Sequence, residues 1–137
     1  MLDPILDASL REEISAVSKQ HPELCANGWQ HKTKHNGRYV DAYGLSAYEL
    51  MDTPDWRWQV HTARQFIATR RARVTLNRGL SSYGWKHKAE RWGRAAGLSP
   101  YVSNGAMIMA AHLAGITVEG YGYHNTPNPC LALGGAL

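Results

Sequence analysis

With 137 residues, the chain is long enough for one domain, residues 1–137, whose core needs neither disulfides nor metal. Hydrophobic residues make up 44% and charged residues 19%, without low-complexity tracts or internal repeats, which excludes disordered, fibrous and repeat classes. The longest apolar stretch, "AMIMAAHLAGI", falls well short of the roughly 20 residues a bilayer span requires, and the formal net charge of +4 is modest.

The N-terminus, "MLDPILDASL", carries acids where a secretory leader would carry a basic region, so the expected location is cytoplasmic. Its first helix places Ile5, Leu6, Leu10, Ile14 and Val17 on one face by steps of three and four. Asp3-Pro4 can open it, and Ser9 with Glu12 offers an alternative capping box. "HPELCANG" ends it. Cys25 and Cys130 stand far apart with no CxxC, so free thiols are expected.

"GWQHKTKHNGRYVDAYG" reads as a β-hairpin. Asn36-Gly37 suits the positive-φ positions of a type I′ turn, which sets Thr33 opposite Val40 and Lys32 opposite Asp41. A short helical turn is expected within Tyr43 to Met51, where Ser46 and Glu49 have capping-box spacing. Thr53-Pro54 then starts a helix predicted to run to about Arg73, with Trp56, Val60, Ala63 and Ile67 as its apolar stripe.

"NRGLSS" breaks the chain, and Ser81 or Ser82 caps a helix whose stripe is Trp85, Ala89, Trp92 and Ala96. Gly84 and Gly93 each cost about 1 kcal/mol relative to Ala inside a helix, which suggests close packing against another element. Gly97 ends this helix. Ser99-Pro100 or Ser103 starts another, apolar nearly all round and therefore central, with Gly115 after it. "ITVEGYGY" suits a short strand, and the tail from about residue 124 reads as irregular. The expected fold is mainly α (α+β), a compact helical domain of about four helices with one small hairpin.

Charge along this chain is strongly segregated. From Arg57 to Arg94 there are ten basic residues against one acid, Glu90, whereas the first 56 residues hold five basic and nine acidic ones. Clustered cations without acids are the footprint of phosphate binding, although a solvated basic face has the same composition. The candidate contact residues are one row of Arg57, Arg64 and Arg71, a second row of Lys86, Lys88, Arg91 and Arg94, and in addition Arg73. Trp85 and Trp92 would hold the second row's helix in place.

Other chemistries find less support. A helix-turn-helix reader around Gly97 needs polar groups for base edges, and the later helix offers little beyond Asn104 and His112. His31 and His35 lack a third ligand nearby, so neither a metal nor another cofactor is expected. No G-x-S-x-G, P-loop, HExxH or deaminase pattern occurs, and no spacing pairs Cys25 or Cys130 with a histidine, which leans against an enzyme. "EGYGYHNTPNP" reads as a turn-rich connection.

"SSYGWKHKAERWG" followed by "YVSNGAMIMAAHLAGI" resembles a pattern in small bacterial proteins of phages, plasmids and other mobile elements. The resemblance covers Ser81 to Ile116 and implies a setting, not an activity. Small proteins of that setting often act by binding, anti-CRISPR and other anti-defence inhibitors and accessory DNA-binding proteins among them. The expectation is a non-enzymatic binder whose partner is nucleic acid or a host nucleoprotein complex, or else an acidic protein surface, and no membrane; the alternatives are an accessory DNA-binding protein without strong sequence specificity and a small enzyme whose site no motif reveals.

Overall fold

Asp3 and Thr53 open two helices by the same local chemistry. In the computed structural model, which describes residues 1–29, the backbone of 34–35 and 38–39, residues 51–120 and residues 128–137, Asp3 Oδ1 accepts from the amides of Ile5 and Leu6 at 3.0 Å. Thr53 Oγ1 likewise accepts from Trp56 N at 3.2 Å. Each cap precedes a proline at the first helical position, where the missing N–H costs nothing. Helix α1 spans Pro4–Gln20 and α2 spans Pro54–Ile67. A third helix, α3, spans Ser82–Ala96, and a fourth, α4, spans Asn104–Leu113.

Four helices among the described residues, with small antiparallel sheets, make this a mostly helical α+β fold, as expected. Helix α4 is the centre. Met107, Ile108, Met109, Ala110 and Ala111 are all fully buried, and α1, α2 and α3 pack around them. The stripe of α2 faces this core, with Trp56, Val60, Ala63 and Ile67 all buried. On α3, Trp85 and Ala89 are buried and Trp92 is half-buried, the two indoles lying 6.3 and 6.2 Å from the Phe66 ring. Ala96 is exposed instead. On α1, Leu10 and Ile14 enter the core, whereas Ile5 and Leu6 stay in solvent.

Gly93 shows why that position excludes a side chain. A Cβ there would stand 2.6 Å from the Ser99 carbonyl oxygen and 2.7 Å from Thr62 Cγ2, so the glycine lets α3 lie close on α2. Gly97, at φ 74°, ends α3 in the left-handed conformation. Ser103, rather than Ser99, heads α4: its Oγ accepts from Ala106 N at 3.1 Å and from Trp56 Nε1 at 2.9 Å.

Three two-stranded antiparallel sheets complete the described fold. Strands β1 (Leu24–Cys25) and β2 (Gly28–Trp29) make a tight turn against the start of α4, where the Gly105 amide donates to the Ala26 carbonyl at 3.0 Å. Strands β3 (Lys34–His35) and β4 (Arg38–Tyr39) pair Lys34 with Tyr39 and His35 with Arg38. The outer pairs Thr33–Val40 and Lys32–Asp41, and the turn expected within Tyr43 to Met51, lie outside the described residues, Met51 itself excepted.

Three expectations are corrected by the third sheet, the first being that "NRGLSS" breaks the chain, since residues 77–81 lie within a strand. Helix α2 stops at Ile67 rather than near Arg73, because Arg70–Ser81 forms a strand, β5. The tail is not irregular throughout, because Cys130–Ala136 forms β6 and pairs with β5. The register runs from Arg70 opposite Ala136 to Ser81 opposite Cys130, with bulges between. Backbone pairing with a distant segment thus overrides the helix propensity of "RRAR". Val118 adds a single bridge to Leu131.

Candidate nucleic-acid interface and a polar pocket beside it

Of the ten basic residues from Arg57 to Arg94, the structure sorts one group inward and leaves another in solvent. Arg57 is buried: its guanidinium donates to both Asp7 carboxylate oxygens, at 2.7 and 2.9 Å, and to Asp52 Oδ1 at 3.2 Å. Asp52 also accepts from Arg11 at 2.7 Å. The hydrogen bonds from Arg57 hold the Asp7 carboxyl below its ordinary pKa, against the opposing effect of burial. Arg64, half-exposed, reaches Glu13 at 3.1 Å. Arg78 pairs with Glu119. Lys86 is buried, with Nζ 2.8 Å from Glu90 Oε1.

Two of the expected contact residues, Arg57 and Lys86, are interior ion-pair members and lie off the exposed cationic surface. Arg64 stays at the surface with its charge largely answered by Glu13. Arg71 and Arg73 are exposed, but on β5 rather than on the row of α2.

Lys88, Arg91 and Arg94 remain exposed on α3. At about 100° per residue they occupy one side of the helix, opposite the buried side of Trp85, Ala89 and Gly93. Arg94 Nη1 donates to the Pro100 carbonyl at 3.2 Å, which steadies it beside the connection to α4. A groove of about 280 Å³ joins α3 to the start of β5, lined by Phe66, Arg70, Lys88, Arg91, Trp92 and Ala95. Arg70 lies over the Phe66 ring at 4.7 Å, and its Nε is buried without a hydrogen-bond partner among the described residues. Arg70, Arg71, Arg73, Lys88, Arg91 and Arg94 have no acidic partner among the described residues.

Where α3 meets the start of α4 lies a polar cluster that capping and core patterns did not predict. Glu90 takes Lys86 at 2.8 Å and the Val102 amide at 3.3 Å on Oε1, while His87 Nδ1 stands 3.3 Å from Oε2. Burial pushes the Glu90 carboxyl up, but the hydrogen bonds from Lys86, Val102 and His87 and the charge of Lys86 outweigh it, so its pKa lies below the ordinary value. Ser82 Oγ donates to Asn104 Oδ1 at 2.7 Å, and Asn104 Nδ2 donates to Asn128 Oδ1 at 2.8 Å and to the Asn27 carbonyl at 3.3 Å. These bonds tie the starts of α3 and α4 to the β1–β2 turn and to the approach of β6.

A pocket of about 240 Å³ opens above this cluster, lined by Asn27, Tyr83, Lys86, Tyr101, Asn104 and Asn128. Its signal was readable in part. Tyr83, Lys86 and Glu90, at steps of three and four, share one face of α3. That Tyr101 and Asn104 would meet this face required the α3–α4 geometry.

Cys25 and Cys130 are free thiols, and Cys25 Sγ donates to the Gly28 carbonyl at 3.1 Å. His31 and the His35 side chain lie outside the described residues, within which no group of three or more His, Cys, Asp or Glu is placed to hold a metal. No described helix is long and apolar enough to cross a membrane. Comparison of the chain with protein-family models, curated proteins and solved structures gives no match.

Proposed function

We propose that this protein binds nucleic acid, naked or within a nucleoprotein complex, through the exposed cationic side of α3 and the adjoining start of β5. One observation carries the reading: Arg70, Lys88 and Arg91 converge on one groove with no carboxylate answering them among the described residues. Cations held by the fold but not neutralised by it attract phosphates, and their binding releases counterions. Helix α4 is too deeply buried to enter a groove of DNA, so contacts would fall on the backbone with little sequence preference. In the mobile-element setting implied by the resemblance, such a surface would compete with a host complex for its nucleic acid, as an anti-CRISPR-type inhibitor does.

Fluorescence anisotropy with labelled duplexes, titrated with salt, tests this reading. Three phosphate contacts by Lys88, Arg91 and Arg94 would give a slope of about −3 in log K against log salt. Binding that ignores salt would refute it.

A further inference from the structure

Lys86 sits on the floor of the polar pocket between two half-exposed rings. Its Nζ lies 4.7 Å from the Tyr101 ring centroid and 5.5 Å from that of Tyr83. The side chain is only 8% exposed, yet it lines the pocket. An ammonium carries three donors. Among the described residues Lys86 has one hydrogen-bond acceptor, Glu90, which leaves donor capacity for a ligand atom entering between the tyrosines.

Charge decides what that ligand is. Glu90, at 2.8 Å, cancels the charge of Lys86, so the pocket has no surplus cation for a phosphate. What lines it instead is two tyrosine rings, an ammonium donor and the side chains of Asn27 and Asn128. Ring faces with polar groups at their edges suit a flat, neutral heteroaromatic that stacks and accepts hydrogen bonds through ring nitrogens or carbonyl oxygens. His87 meets the Tyr83 ring edge-on at 4.6 Å, which steadies that ring.

We infer that the Tyr83–Lys86–Tyr101 pocket takes one unstacked nucleobase of a single strand whose phosphates run along the cationic side of α3. The choice of ligand class rests on the nucleic-acid reading above. Arg94 donates to the Pro100 carbonyl next to Tyr101, so the cationic side of α3 reaches the edge of the pocket. A base paired within a duplex cannot enter, so the pocket makes the protein prefer single strands.

The test combines oligonucleotide affinity with titration of uncharged nucleosides, followed by NMR at the tyrosine rings. Wild-type protein is expected to bind a single strand more tightly than a duplex. The double variant Tyr83→Leu/Tyr101→Leu should lose at least about tenfold in single-strand affinity, because base–aromatic stacking is removed, and keep its duplex affinity. Tyr83→Phe/Tyr101→Phe, which retains both rings, should keep most of the single-strand affinity. Equal single-strand affinity of the wild type and the Leu variant overturns the inference and leaves the cationic surface standing. Nucleosides that shift the ring signals of a wild type that binds no oligonucleotide would retain the pocket and refute the surface. Should the Leu variant fail to fold, the absence of any ring shift in the wild type, up to the nucleoside's solubility limit, overturns the inference.

Discussion

The cationic edges of α2 and α3 look alike in sequence and end differently. On α2, Arg57 and Arg64 meet Asp7 and Glu13, acids about fifty residues earlier on α1. On α3, Lys88 and Arg91 meet no acid among the described residues. The first edge is part of how α1 is held to α2; the second is a surface left open. Counting charges along the chain cannot separate the two, because the answering acids arrive through tertiary contact. Segregated charge is therefore also the raw material of internal ion pairing, and only what remains after pairing can attract a partner.

The largest effect that would test this contrast is structural. Asp7→Ala leaves Arg57 buried with Asp52 alone, and breaking a buried pair from one side costs about 3 kcal/mol. Chemical denaturation should show that loss, while the oligonucleotide affinity of the folded protein stays as in the wild type.

Acid titration sharpens the same point once His112 is set apart. Burial, with the charge of nearby His21, lowers His112 from 6.5 to about 4, and its ring stacks on His21 at 4.1 Å. The unfolded chain takes up that proton first, so stability is full above pH 6.5 and falls by about 2–3 kcal/mol as pH drops to about 4. His112→Phe should flatten that limb. Asp7, held below its ordinary value of 3.8, contributes stability that persists above that value and is lost as pH falls beneath it. Asp7→Asn should remove this lower limb, and urea midpoints across pH would record both.

Reversal on the open edge should do the opposite of Asp7→Ala. Arg91→Glu/Arg94→Glu is expected to weaken binding at least tenfold, about 1.4 kcal/mol, with a thermal midpoint close to that of the wild type. The smallest effect belongs to Arg64. Its pair with Glu13 is half-exposed on both sides and contributes less than about 1 kcal/mol. Arg64→Ala should change neither stability nor binding by more than that.

Local signals in the sequence included the caps of three of the four helix starts, whereas Ser81, the N-cap residue of α3, makes no side-chain capping bond. Asp3-Pro4, Thr53-Pro54 and Ser103 are caps whose partners lie two or three residues away. Periodicity also identified the buried stripe of α2 and the central place of α4. Strand β5 escaped because it buries almost nothing and so has no apolar alternation, while the Asn77 side chain finds its backbone partner at Leu133, 56 residues on. Strand β6, "CLALGGA", is poor in β-branched residues and rich in glycine. The polar pocket escaped for a related reason: Asn27, Lys86, Tyr101 and Asn128 come from four separate segments. Of the eight contact residues expected from charge alone, Lys88, Arg91 and Arg94 share the open edge of α3. Arg70, which lay outside that set, lines its groove.

The most direct test of the central claim is the salt dependence of oligonucleotide binding, measured for the wild type and for Arg91→Glu/Arg94→Glu. An open, un-neutralised edge on α3 predicts affinity that falls steeply with salt in the wild type. The variant should show a slope shallower by about two, one for each phosphate it no longer neutralises. Equal slopes for both proteins, or no binding at low salt, would contradict it.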